Sequence, residues 1–254
     1  MLTDFPENGT YLVAVVGAGS GIGRAAAECL AAKGARVGCL DRDLAAAAET
    51  ARSIERKGGH ALAVAADVTE ERTLRPALDR IVEALGPVQG LVNCAGITGR
   101  TNVKAHEVDL ADFDEVYRIN LRGALTVSQA VLPSMLARNY GRILHIASIA
   151  GKEGNAGMAA YSATKAGLIG LVKSMAKDYA ETGITINALA PAVIQTPLVE
   201  ALPQATVDYM TAKIPMRRCG TLEEAAEMIS WIVSPACSFT TGFTFDLSGG
   251  RATY

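Results

Sequence analysis

A chain of 254 residues, 50% hydrophobic and 20% charged with 25 glycines, carries enough apolar content for one large packed core and is not a disordered polymer. A formal net charge of −2 without a basic stripe argues against a nucleic-acid partner, and no stretch approaches the ~20 apolar residues of a membrane helix. Cys29, Cys39, Cys94, Cys219 and Cys237 are widely spaced without a C-x-x-C pair, so reduced cytoplasmic thiols are expected rather than disulfides or a metal cluster.

An apolar run from Tyr11 to Val16 reads as a buried strand leading into glycines. Ser20 to Lys33 follows as a helix with a small-residue face, then Arg36 to Asp41 as a strand. Alternation continues with a helix from Asp43 to Lys57, a strand from Ala61 to Ala66, a helix from Thr69 to Leu85 and a strand from Gly90 to Asn93. A long helix from Asp112 to Arg138, a strand from Arg142 to Ala147, a second long helix from Tyr161 to Thr182 and a strand from Thr185 to Ala190 come next. Such order predicts an α/β fold: a single domain over residues 1–254 with a doubly wound parallel sheet, helices on both faces and the ligand beyond the strands' carboxyl ends. From Pro191 to Glu224 the pattern lapses for roughly 30 residues rich in Pro, Thr and Met, longer than an ordinary connection and therefore expected to form a substrate lid. A helix from Leu222 to Ile232 and a strand from Phe243 to Leu247 close the order.

Gly17, Gly19, Gly21 and Gly23, with Ser20 and Ile22 between them, sit where the first strand turns into the first helix. Glycines there let backbone approach a pyrophosphate, and a helix N-terminus favours its charge, so a Rossmann-type dinucleotide site is expected. Asp41 ends the second strand, where a carboxylate accepts hydrogen bonds from ribose hydroxyls and repels a 2′-phosphate; NAD is therefore expected over NADP, with Arg42 the dissenting neighbour.

Tyr161 and Lys165 stand four apart at a helix start, which places phenol and ammonium on one face. A neighbouring ammonium favours phenolate, turning a group with an ordinary pKa of about 10 into a usable base. Ser148, at a strand's carboxyl end, is placed to donate to a substrate oxygen, and Asn120 to hold a water linking Lys165 to solvent.

On these motifs the chain resembles classical short-chain dehydrogenases/reductases over essentially its whole length. Gly17 to Gly23 resembles T-G-x-x-x-G-x-G, Asn93-Cys94-Ala95-Gly96 resembles N-N-A-G, and Tyr161 to Lys165 resembles Y-x-x-x-K. The resemblance implies a tetrad with Tyr161 as general acid/base, Ser148 orienting the substrate oxygen, Lys165 also holding the nicotinamide ribose, and Asn120 as its fourth member. It further implies Asp67 and Val68 near adenine, Asn93, Ala95 and Gly96 beside the ribose, and Pro191, Ile194 and Thr196 around the carboxamide. Val16, Cys94 and Ala192 depart from the pattern, and Ala192 makes a positive φ costlier where the family has glycine.

His60, His106 and His145 lack ligand spacing, so no metal is expected. The substrate expected is a sugar-derived alcohol, most sharply a 2-keto-3-deoxy sugar acid, because the loop with Lys152, Glu153 and Asn155 and the chain's ending resemble sugar-acid and polyol dehydrogenases of the family. Two rivals stand beside it: a 3-oxoacyl-[acyl-carrier-protein] reductase, opposed by Asp41 and by Thr126 where a basic residue would receive the carrier, and a non-catalytic NAD-binding protein, opposed by the tetrad. Small and apolar residues on the long helices, among them Leu121, Ala124, Leu125, Leu168, Leu171 and Met175, together with the resemblance, imply a homotetramer. In it Arg251, on the tail from Ser248 to Tyr254, is expected to help bind an acidic substrate in a neighbouring subunit.

Overall fold

The computed structural model describes residues 5–6, 9–201 and 204–252. Seven parallel strands form one sheet in the order β3-β2-β1-β4-β5-β6-β7. They are β1 (Leu12–Val16), β2 (Arg36–Asp41), β3 (His60–Ala65), β4 (Val88–Asn93), β5 (Gly141–Ile146), β6 (Ile184–Pro191) and β7 (Thr244–Leu247). In β1, β5 and β6 every residue is buried, because helices cover both faces and leave no wet side for polar alternation. Two apolar clusters fill the space on either side of the sheet.

The connecting helices are α1 (Gly21–Ala32), α2 (Leu44–Arg56), α3 (Glu71–Leu85), α4 (Leu110–Tyr117), α5 (Gly123–Ala137), α6 (Ile149–Glu153), α7 (Ala159–Asp178), α8 (Pro197–Glu200), α9 (Gln204–Ala212) and α10 (Leu222–Ile232). Strand order reverses between β1 and β4, and the first connections lead to one side of that point while later ones lead to the other. Their carboxyl ends diverge there and open a crevice.

Three features differ from the sequence expectation. The helix expected over Asp112 to Arg138 is interrupted by a π-helical turn at Arg118–Arg122, between α4 and α5. A short helix, α6, follows β5 where the chain was read as loop. The segment expected as a lid carries α8 and α9, with residues 202–203 outside the described part.

Of the side chains assigned to an assembly face, Ala124, Leu168 and Met175 lie in the core against the sheet, while Leu125 is 37% exposed. Helical spacing alone does not distinguish a sheet-facing stripe from a second apolar stripe beside it. Ala192 shows no left-handed strain, since among the described non-glycine residues only Asn102, Asn139 and Arg217 have positive φ. No helix among the described residues is long and apolar enough to cross a membrane.

Candidate active site

The crevice begins at the glycine turn. Gly17 has φ of +79°, and a Cβ on it would stand 3.0 Å from the Ala95 nitrogen, so β1 and β4 meet there backbone to backbone. A Cβ on Gly23 would collide with the Gly17 carbonyl, and one on Gly19 would stand 2.8 Å from Asp41 Oδ2. Ser20 gives α1 no side-chain cap, and no acidic residue lies in its first turn. The N–H groups and positive dipole end of α1 are therefore presented to a groove that an anionic pyrophosphate suits.

Asp41 is fixed from both sides: Gly19 N–H donates to Oδ2 at 2.9 Å and Asp43 N–H to Oδ1 at 3.0 Å. Ser20, Gly21, Ile22, Asp41, Arg42, Asp67, Val68, Ala95 and Gly96 line the groove. Asp67 is held by Thr69, whose N–H and hydroxyl both donate to Oδ1 at 2.8 Å. The glycines, the uncapped helix start and the fixed carboxylate fit a dinucleotide with an unphosphorylated adenosine ribose.

Asn93 is buried and does not itself line the groove. The Ser128 hydroxyl donates to the Ala124 carbonyl at 2.8 Å, so its oxygen accepts from His145 Nε2 at 3.0 Å. His145 Nδ1 then accepts from Asn93 Nδ2 at 3.2 Å, and Asn93 Oδ1 receives Ala95 N–H at 3.2 Å. Burial, assisted by the nearby Lys165 charge, lowers the His145 pKa to about 3 and keeps the ring neutral, as this chain requires. His145 thus positions the backbone beside Gly17, a role sequence reasoning did not assign it.

A second groove continues from the first, sharing Ile22, Gly96, Ile97 and Thr196, and reaches Ser148, Tyr161, Lys165, Pro191 and Ile194. Ser148 caps α6, accepting from Ala150 N–H at 3.1 Å, and hydrogen-bonds to Tyr161. Tyr161 and Lys165 share one face of α7 as expected, with Nζ 5.7 Å from the phenol ring centre. Lys165 Nζ donates to the Ile146 carbonyl at 2.6 Å. Burial raises the Tyr161 pKa while the Ser148 bond opposes the rise, and burial lowers that of Lys165 to about 8. Both groups are thus more easily neutralised than in water.

Asn120 lies within the π turn and is buried. Its Oδ1 accepts from Ile97 N–H at 2.8 Å, while Nδ2 donates to the Ile97 carbonyl at 2.9 Å and to Thr164 Oγ1 at 3.3 Å. The side chain clamps the loop after β4 to α7.

The expected substrate contacts are also tied to protein. Lys152 Nζ lies 3.1 Å from Asp246 Oδ2. Arg251 donates to Glu153 at 2.9 Å and to Asn155 Oδ1 at 3.0 Å within its own chain, so its guanidinium is already engaged. Tyr254 lies outside the described residues. No group of three or more His, Cys, Asp or Glu able to hold a metal occurs among the described residues.

A parallel doubly wound sheet, a glycine cradle at its reversal point and a Ser-Tyr-Lys cluster in the adjoining groove define a dinucleotide-dependent oxidoreductase. The short chain dehydrogenase family model matches residues 11–206, and the chain belongs to that family. It is 44% identical over 240 residues to 2-dehydro-3-deoxy-L-rhamnonate dehydrogenase (NAD(+)) of Sphingomonas sp. (strain SKA58), covering 94% of each chain. A (3R)-3-hydroxyacyl-CoA dehydrogenase of Homo sapiens is 38% identical with 94% of each chain covered; the 3-oxoacyl-[acyl-carrier-protein] reductase FabG of Escherichia coli (strain K12) is 36% identical, covering 93% of this chain and 95% of its own. The crystal structure of gox2181 superposes with a TM-score of 0.93 at 32% identity, covering 98% of this chain and 97% of the other.

Proposed function

We propose that this chain oxidises a secondary hydroxyl of a 2-keto-3-deoxy sugar acid with NAD, with Asn120, Ser148, Tyr161 and Lys165 as its working residues. The observation that carries the cofactor is Asp41, whose two oxygens are held by Gly19 and Asp43 at the groove edge where a 2′-phosphate would have to sit. Similarity to the rhamnonate dehydrogenase supports the substrate class.

When bound, the nicotinamide supplies the acceptor for the carbinol hydrogen with its electron pair. Tyr161 Oη takes the hydroxyl proton, and the Ser148 hydroxyl donates to the same substrate oxygen, favouring its developing negative charge. Lys165 lies one turn along the same face of α7 from the phenol, where its charge favours phenolate; Asn120 fixes the loop after β4 through Ile97. Pro191, Ile194 and Thr196, at the lid's start, shape the far wall.

The test is NADH formation with a panel of 2-keto-3-deoxy sugar acids, polyols and (3R)-hydroxyacyl thioesters, each with NAD and NADP. Similarity to the hydroxyacyl-CoA dehydrogenase and to FabG favours the second reading, a hydroxyacyl dehydrogenase or oxoacyl reductase. Far higher kcat/KM for thioesters than for any sugar acid would establish that reading instead. We further propose a cytoplasmic homotetramer, supported by exposed apolar side chains such as Leu110 and Leu125 on α4 and α5; light scattering measures it.

A further inference from the structure

The loop between Ser148 and Tyr161 is braced by the end of the chain. Lys152 is tied to Asp246 on β7, and Glu153, the last residue of α6, is tied to Arg251, whose side chain is only 9% exposed. Arg251 also donates to the Asn155 side chain, while the Asn155 N–H donates to Ser162 Oγ at 3.0 Å, one residue beyond Tyr161. On its other side the same tail holds the lid, since Met216 N–H donates to the Gly249 carbonyl at 3.1 Å. Gly249 has φ of +60°, and a Cβ on it would stand 2.7 Å from Ile214, so the tail lies close against the lid's base.

We propose that Arg251 is a positioning residue that sets the Ser148–Tyr161 geometry from within its own subunit, resting on the roles given above to those two residues. Ser148 caps the start of α6 and Glu153 ends it, so a guanidinium on Glu153 fixes the short helix whose capping residue is proposed to face the substrate oxygen. Through Asn155 and Ser162 the same guanidinium reaches the first turn of α7, which carries Tyr161. The guanidinium is charge-paired with Glu153 at 2.9 Å and also donates to Asn155 at 3.0 Å, so a substrate carboxylate would meet a cation that Glu153 already neutralises, which makes direct recognition of an acid the less economical role.

Positioning and direct recognition separate by experiment. Arg251→Met and Glu153→Gln should each raise amide exchange over residues 149–158 about tenfold in the substrate-free protein, with Arg251→Lys intermediate. Each should lower kcat about tenfold for acidic and neutral alcohols alike while NADH affinity stays within twofold. Unchanged exchange in both variants overturns the brace. A loss confined to acidic alcohols in Arg251→Met, absent in Glu153→Gln, overturns positioning in favour of direct charge recognition. Should the unmodified protein oxidise no alcohol, the reaction proposed above fails, while the exchange measurement still decides the brace.

Discussion

At the residue scale, Tyr161 and His145 show how burial is turned to opposite ends. The phenol is buried beside Ser148, whose hydrogen bond opposes the rise in pKa that burial causes; Tyr161→Phe removes only the oxygen proposed to take the proton. Turnover should fall by about 10²–10⁴-fold while NADH binding, followed by fluorescence, is retained. His145 is buried to stay neutral, with its pKa lowered from 6.5 to about 3. The unfolded chain binds a proton below about pH 6.5 that the folded chain refuses, so this contribution to stability is present above that pH and is lost as pH falls toward 3. At pH 5 the loss is about 2 kcal/mol, from 1.36 kcal/mol per pH unit. Urea midpoints at pH 7 and pH 5 should differ more for the unmodified protein than for His145→Gln, which has no imidazole to titrate. Equal differences would show that other groups dominate acid destabilisation. Tyr161, Lys165 and Asp41 were legible in the sequence because their partners lie within one helix turn or at a recognisable strand end. His145 was not, because its partners, Asn93 and Ser128, lie 52 and 17 residues away and only the pairing of β4 with β5 and the packing of α5 on the sheet bring them together.

At the scale of elements, the strands were readable because runs such as Leu12 to Val16 are apolar throughout, as burial on both faces demands. The π turn was not, since one added residue in a helix barely disturbs a 3.6 periodicity summed over many turns. Its consequence is local: the turn brings Asn120 to Ile97, and the amide satisfies both backbone groups of that residue. Asn120→Ala leaves a partly buried N–H and carbonyl without their partner, a cost of about 1–3 kcal/mol. The variant should lose stability by that amount in urea and lose kcat through a loosened groove wall, whereas Asn120→Asp, which keeps an acceptor for the Ile97 N–H, should retain part of both. A five-residue helix such as α6 escapes sequence reading for a simpler reason, being too short to display a period, although Ser148 at its start is an ordinary capping residue.

At the scale of the whole molecule, the dinucleotide groove belongs to no single element. Gly17 and Asp41 approach it from β1 and β2, Asp67 from beyond β3, Ala95 and Gly96 from beyond β4, and Thr196 from the segment after β6. The unfolded chain has no such groove, so a ligand that fills it stabilises the fold by mass action. NADH at a hundredfold its Kd should contribute about 2.7 kcal/mol, which for a chain of this size is a rise in Tm of roughly 5–10 °C. NADPH at the same concentration should give a smaller rise, because its 2′-phosphate meets a carboxylate that Gly19 and Asp43 hold in place. Asp41→Ala removes the repelling charge and should bring the two rises closer together, with Arg42 at the groove edge available to the phosphate. Gly19→Ala should blunt both, since its Cβ would stand 2.8 Å from Asp41 Oδ2 and from the Ala46 side chain and would push the turn away from α2. A larger rise with NADPH than with NADH in the unmodified protein would mean that Arg42 outweighs Asp41, and the cofactor assignment would pass to NADP.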